Sequence, residues 1–178
     1  MKLPHTLTQA TIATPLGPMR LAATECALAG AWFHDQRYAP EPALVASWRP
    51  DPHHPVLRET ARQLADHFAA RRQAFDLPLD LSFGTPFQTA VWRALCAIPA
   101  GHTLSYGELA RRLDAPNAVR AVGAAVGRNP LSVVVPCHRV LGARGGLTGY
   151  AGGLPRKQAL LRLEATGRPA PLPTPMPA

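Results

Sequence analysis

The sequence predicts two units in series. The first is an α/β unit, a small antiparallel sheet plus one long helix, over residues 1–84. The second is a mainly α unit with a helix-turn-helix over residues 85–168. Three observations predict this. Short β-rich segments separated by turn residues open the chain. Two capping boxes, Thr85-Pro-Phe-Gln88 and Ser105-Tyr-Gly-Glu108, announce helices in the second half. The charge changes at the same place. Residues 1–84 hold eight Lys/Arg and eight Asp/Glu; residues 85–178 hold eleven against three, so the whole net charge of +8 lies there. With 178 residues, 47% of them hydrophobic, the chain suffices for one ordinary domain or two small ones with a real core.

Each element has its own signal. Residues 7–13, 19–23 and 27–33 read as strands, with Pro-Leu-Gly-Pro (15–18) turning between the first two. A loop rich in proline follows. Val56 to Ala70 is helical, with Val56, Leu57, Thr60, Leu64 and Phe68 on one face. Residues 76–84 read as a strand leading out of this unit. Thr85 is an N-cap with Pro86 at the first helical position, and Phe87, Val91, Leu95 and Ile98 form the apolar stripe of the next helix. Ser105 opens a helix to Leu113, Asp114 to Asn117 turn, and Ala118 to Gly127 form another helix. Two short helices around a tight turn, in the basic half, read as helix-turn-helix. Gly145 to Gly153 is a glycine-rich loop without the Gly-Lys-Ser/Thr ending of a P-loop. A last helix, Arg156 to Thr166, ends at Gly167. The tail, residues 169–178, has proline at every second position to Pro177 and is expected to be disordered or extended.

Three cysteines, none in Cys-x-x-Cys spacing, make no disulfide framework. The first residues contain no apolar core of signal-peptide length, and no apolar run is long enough for a bilayer. A cytoplasmic protein with free thiols and no membrane partner is expected. The basic half is either a solvated face or a surface for a polyanion. Seventeen of the nineteen cations in the chain are Arg, a composition suited to phosphate forks.

The stretch Val133-Val-Val-Pro-Cys-His-Arg-Val140 carries the chemistry. A β-branched run reaches a proline and then sets a thiol beside an imidazole. A thiol becomes a nucleophile only as thiolate, which requires a neighbouring base or cation. Adjacent residues of an extended chain point apart, so His138 meets Cys137 only if the backbone turns, and Pro136 provides for that. Between Cys137 and the C-terminus there is one carboxylate to orient the imidazole, Glu164. A buried structural cysteine is the competing reading. A metal site is not expected, because Cys96, His102, Cys137 and His138 have no ligand spacing. Cys26 and Cys96 read as core.

Pro136-Cys-His-Arg-Val140, preceded by Arg128-Asn-Pro130, resembles the active-site signature of the O6-alkylguanine-DNA alkyltransferases, the bacterial members above all. The resemblance continues through Ser105-Tyr106, Arg120-Ala-Val-Gly123, Thr148-Gly-Tyr-Ala-Gly-Gly-Leu154, Leu160-Leu161 and Glu164. It covers residues 85–168 and, more loosely, the first unit, for which it implies a ribonuclease-H-like fold. It implies a single-turnover transfer of the alkyl group from O6 of a flipped guanine in duplex DNA to Cys137, with O4-alkylthymine as a second candidate substrate. No cofactor and no metal are implied, and the protein would be a monomer. His138 would act as base through water, oriented by Glu164. Tyr106 would hydrogen-bond the guanine and help protonate its leaving oxygen. Arg120 would fill the gap left by the base, and Ala121, Gly123 and Arg128 would lie against DNA. Asn129 would brace the turn, and Pro136, Val140, Tyr150 and Ala151 would line the pocket. Ala151 stands where some members have Ser. Some members bind zinc in the first unit; Cys26 lacks the matching set. The alternatives are a DNA lesion-binding or regulatory protein without chemistry, and a cysteine protease, for which the basic helix-turn-helix has no use.

Overall fold

The computed structural model describes residues 3–168. The expectation for the tail at 169–178 lies outside the described residues.

Strands β1 (Thr8–Ile12), β2 (Met19–Ala23) and β3 (Leu28–Phe33) form an antiparallel meander. A two-residue strand, β4 (Arg49–Pro50), pairs parallel with β1 and completes the order β3-β2-β1-β4. Pro50 lacks an N–H and is tolerated there because β4 is an edge. The proline-rich segment is thus more ordered than a loop, since it also contains the short helix α1 (Pro42–Ala46). All six residues of β3 are buried, because both sheet faces are covered. Trp32, Trp48, Val45 and Leu7 close one face as a small cluster, with the two indoles stacked. Helix α2 (Pro55–Phe68) packs Leu57, Thr60, Leu64 and Phe68 on the other side. Val56 is only partly buried.

Three expectations are corrected here. Residues 76–84 form no strand; they touch the sheet at one parallel bridge, Leu28 with Leu79. Pro78 offers only a carbonyl, to Leu28 N at 2.8 Å, so the pairing cannot extend toward residue 76, and past Leu28 the β3 edge is taken at Ala31 by Pro130–Ser132. Cys26 and Cys96 are exposed rather than core. Phe87 is 39% exposed and leaves the stripe of its helix to Val91, Trp92 and Leu95.

The second half starts at α3 (Pro86–Cys96), opened by a full capping box between Thr85 and Gln88. A second box, Ser105 with Glu108, opens α4 (Tyr106–Arg112) directly after β5 (Leu104–Ser105). Asp114 takes a left-handed conformation, φ 54°, which its short polar side chain tolerates. A 3-10 turn at Pro116–Ala118 then leads into α5 (Val119–Gly127). Strand β6 (Val140–Leu141) pairs parallel with β5, and α6 (Leu154–Thr166) ends at Gly167, φ 61°.

The two halves share one core. Leu21 and Phe33 of the sheet, Leu64 of α2, Trp92 of α3, Val122 of α5 and Leu160 of α6 belong to the same buried cluster. Between the halves, Ala31 N donates to Pro130 O at 2.8 Å and Ser132 N to Ala31 O at 2.9 Å. Ser132 Oγ donates to Gln36 Oε1 at 2.9 Å. Strand β3 therefore braces the segment that runs to Cys137.

Candidate active site

Every residue from Asn129 to Val140 is buried. The chain reaches Cys137 through a backbone that only dense support keeps in place. Val133 is held at φ 74°, a left-handed conformation that β-branched residues rarely adopt. Such a conformation costs on the order of 1–3 kcal/mol. Val135 N donates to Leu131 O at 2.8 Å and closes the turn around it. The Asn129 carboxamide fills the inside. Its Oδ1 accepts from Leu131 N at 3.0 Å, and its Nδ2 donates to Val135 O at 2.8 Å, Leu131 O at 3.3 Å and Cys137 Sγ at 3.1 Å.

Pro136 makes the turn its ring allows. At φ −81° and ψ 61° it is the centre of an inverse γ-turn, with Cys137 N donating to Val135 O at 2.8 Å. A 3-10 turn over Cys137–Arg139 follows and buries both the thiol and the imidazole, where an extended backbone would send adjacent side chains to opposite sides. Burial pushes the Cys137 thiol above its ordinary pKa, while the Asn129 hydrogen bond and the Lys157 charge oppose the rise. The resting group is therefore a neutral thiol that needs a base.

His138 and Glu164 have the chemistry of one. His138 is fully buried, and its Nε2 lies 2.8 Å from Glu164 Oε1. The Glu164 carboxylate, 2% exposed, also forms a fork with Arg139: Nε donates to Oε2 at 3.0 Å and Nη2 to Oε1 at 2.8 Å. Arg139 Nη1 donates in turn to Ile98 O. Burial alone would raise the Glu164 pKa, but the hydrogen bonds from His138 and Arg139 outweigh it and bring it to about 2. Burial lowers the His138 pKa, with Glu164 pulling the other way. At neutral pH an ionised carboxylate thus faces a neutral imidazole. A carboxylate only accepts, so the imidazole proton sits on Nε2 and Nδ1 carries the lone pair. Nδ1 is buried and has no hydrogen-bond partner among the described residues, the thiol included.

The roof comes from α4 and the glycine-rich loop. Tyr106, the first residue of α4, stands beside β6 through the β5–β6 pairing. Its hydroxyl donates to Thr148 O at 3.3 Å and Gly149 O at 3.4 Å, both long bonds. Burial raises its pKa, so it remains a proton donor. The loop is glycine-rich for space as well as turning: a Cβ on Gly152 would lie 2.8 Å from Tyr150 Cε1 and 3.1 Å from Phe33 Cδ2. The Tyr150 hydroxyl is buried, and Ala151 O accepts from Arg37 N at 2.9 Å. Arg120, Ala121 and Arg128 are exposed on or just after α5, and Gly123 lies under the Tyr106 ring.

Family models described as 6-O-methylguanine DNA methyltransferase, ribonuclease-like domain and DNA binding domain, match residues 7–81 and 86–166. The chain belongs to the 6-O-methylguanine DNA methyltransferase family. The methylated-DNA–protein-cysteine methyltransferase of Mycobacterium tuberculosis is 48% identical over 162 residues, 91% of this chain and 94% of that protein. That of Salmonella typhimurium is 46% identical over 158 residues, 86% of this chain and 92% of that one. A crystal structure of M. tuberculosis OGT in complex with DNA superimposes with a TM-score of 0.82 at 45% identity, covering 93% of this chain and 96% of that one.

Within this methyltransferase fold Cys137, His138 and Glu164 share one buried centre with Asn129, Pro136 and Val140. Tyr106 and Tyr150 lie near enough to feel the Cys137 charge, whereas the hydrogen bond of Ala151 is to Arg37. Arg120 and Ala121 on the second helix and Arg128 just after it are exposed, apart from that buried centre. Two residues escape sequence reasoning. Arg139 reads as one more cation of a basic half, yet it is the buried partner of Glu164. Lys157 reads as a helix-surface residue, yet it is fully buried. The one sequence signal for Lys157 is rarity: Lys2 and Lys157 stand against seventeen arginines.

Proposed function

We propose that this protein repairs DNA by moving the alkyl group of O6-alkylguanine in duplex DNA onto its own Cys137, once per molecule. The observation that carries the reading is the buried relay behind the helix-turn-helix. A buried neutral thiol is followed in the chain by a buried imidazole whose Nε2–H is held by Glu164 and whose Nδ1 is free to accept a proton. The names of the relatives and the DNA complex of the M. tuberculosis protein support it.

The roles follow from chemistry. A duplex hides O6 from a buried thiol, so the base leaves the stack, at about a few kcal/mol and least for a poorly paired lesion. Arg120 takes its place, while Ala121, Gly123 and Arg128 lie along the backbone and minor groove, where sequence readout is weak. His138 Nδ1 draws the Cys137 proton through one water molecule, and Glu164 steadies the imidazolium. The thiolate attacks the alkyl carbon; the S–C bond forms as the C–O6 bond breaks. The Tyr106 hydroxyl leaves its loop carbonyls to bond the guanine and gives the departing base a proton, which solvent returns to the phenolate. Asn129 and Pro136 hold the turn, and the backbone of Val140, Tyr150 and Ala151 lines the pocket. The thioether has no route back, which makes the reaction single-turnover. No cofactor enters the reaction as we read it. We place it in the cytoplasm, as a monomer, with residues 1–84 as support and 85–168 as the DNA-binding and reacting unit. The three unpaired thiols support that compartment. O4-alkylthymine is a second substrate to assay.

Intact and peptide mass analysis after incubation with DNA carrying O6-methylguanine tests the reading. One methyl should appear on Cys137 and repair should plateau at one equivalent per protein. Cys137→Ala should abolish transfer and keep DNA binding. Methyl on Cys26 or Cys96, or sustained turnover, overturns it; binding without transfer favours the regulatory alternative.

A further inference from the structure

Lys157 lies near the start of α6 with no exposed surface. A buried ammonium is costly unless it is paired or fully hydrogen-bonded. No carboxylate forms an ion pair with it among the described residues. Its three donors go instead to backbone carbonyls: Val140 O at 2.6 Å, Thr148 O at 2.9 Å and Gly149 O at 3.3 Å.

Those acceptors belong to the two segments that build the site. Val140 directly follows the Cys-His-Arg turn. Thr148 and Gly149 belong to the glycine-rich loop, and they are the same two carbonyls that hold the Tyr106 hydroxyl. Lys157 is thus the node where α6, the reactive turn, the loop and α4 meet. The charge balance adds a second point. Arg139 neutralises Glu164. That leaves Lys157 as a buried cation whose counter-charge is missing in the resting state. The anion that appears there during reaction is the Cys137 thiolate.

We propose that Lys157 is a positioning residue for alkyl transfer: its ammonium clips the pocket loop to the reactive turn and supplies the buried positive charge against which the thiolate forms. The proposal rests on the alkyl-transfer reading. It moves no proton of its own; the thiol proton still passes to His138. The Lys157 charge already acts on both Cys137 and His138, in each case favouring loss of a proton. Burial lowers the Lys157 pKa to about 8, so the clip loosens in alkaline solution as one donor and the charge are lost.

The experiment compares the full chain with Lys157→Met and Lys157→Arg. The rate at which iodoacetamide modifies Cys137 is followed by peptide mass analysis from about pH 6 to about pH 10. That assay needs no DNA. Methyl uptake from duplex O6-methylguanine is then timed in single turnover. Lys157→Met should move the thiol profile up by about one unit and slow both reactions about tenfold at neutral pH. Lys157→Arg, which keeps the charge, should leave the profile near that of the parent. Should Lys157→Met fail to fold, Lys157→Gln, which keeps donors and loses charge, makes the same comparison. A neutral variant whose profile superimposes on the parent overturns the proposal, as does an Arg variant shifted as far as the neutral one. A parent chain that takes no methyl from DNA while the profile still shifts overturns the alkyl-transfer reading instead.

Discussion

His138 owes its state to opposing surroundings. Burial favours the neutral ring, and Glu164 holds Nε2 while pulling the pKa back up. The result is an imidazole that is neutral at rest and stabilised once protonated, as the proposed role of base requires. Glu164 is therefore the residue on which both reactivity and stability hinge. In Glu164→Gln the relay no longer favours proton uptake, and reaction with duplex O6-methylguanine and with free O6-benzylguanine should slow by similar factors. A rate loss confined to duplex would reassign Glu164 to DNA contact or packing. The same substitution leaves Arg139 buried without a counter-charge, which costs about 3–5 kcal/mol. The pH dependence has a definite sign. The folded pKa of Glu164, about 2, lies below its ordinary 4.5, so its contribution is complete above about pH 5 and lost as pH falls toward 2. The gap in unfolding midpoint between parent and Glu164→Gln should close over that window; a gap that stays constant from about pH 5 to about pH 2 would refute the assignment.

The elements divide the work between reaching DNA and reacting with it. Helix α5 exposes Arg120 and Ala121 and turns Val122, Ala125 and Val126 into the core. Helix α4 starts at Tyr106 because Ser105 caps it, and Ser105 is held beside the reactive turn by β5–β6 pairing. One rigid piece thus carries Arg120, the proposed wedge, on its outside and the Tyr106 hydroxyl on its inside. Arg120→Ala should slow repair in duplex DNA strongly, yet change the rate on free O6-benzylguanine little, because a free base needs no extrusion. Paired single-turnover rates decide it: equal slowing on both substrates would remove the wedge role.

The whole molecule has a half of zero net charge and a basic half joined by one core. Affinity for unmodified duplex should fall steeply with salt and depend little on sequence, as phosphate-dominated binding requires. Charge removal at Arg111, Arg112 or Arg128 should weaken binding and flatten the salt slope, by about one unit for each phosphate no longer neutralised. Equivalent changes at Arg58 or Arg71 should leave both unchanged. Substitution is the proper test, since cutting at residue 84 would expose Trp92 and Leu160 and open the shared core. A strong preference for one undamaged operator sequence would count against repair.

The sequence by itself determined whatever depends on neighbours along the chain. The two capping boxes, the alternating strands, the turn at Asp114 and the Pro-Cys-His-Arg turn are local. Their geometry follows from φ restriction, side-chain caps and side-chain periodicity, and each is legible in the chain alone. Glu164 is legible as the one acid after Cys137, and its pairing with His138 is what the family resemblance implies. Only the tertiary structure decided what surrounds these groups. Arg139 points inward because Glu164 and Ile98 O await it there, and Lys157 is buried because three carbonyls converge on one point of α6. Residues 76–84 lose their strand because Pro78 has no donor on one side of the bridge and Pro130–Ser132 take the β3 edge on the other. Charge pairing and hydrogen-bond satisfaction are properties of a place. A cation in a sequence reads as surface until the fold shows which carbonyls and carboxylates would otherwise stand unpaired in the interior.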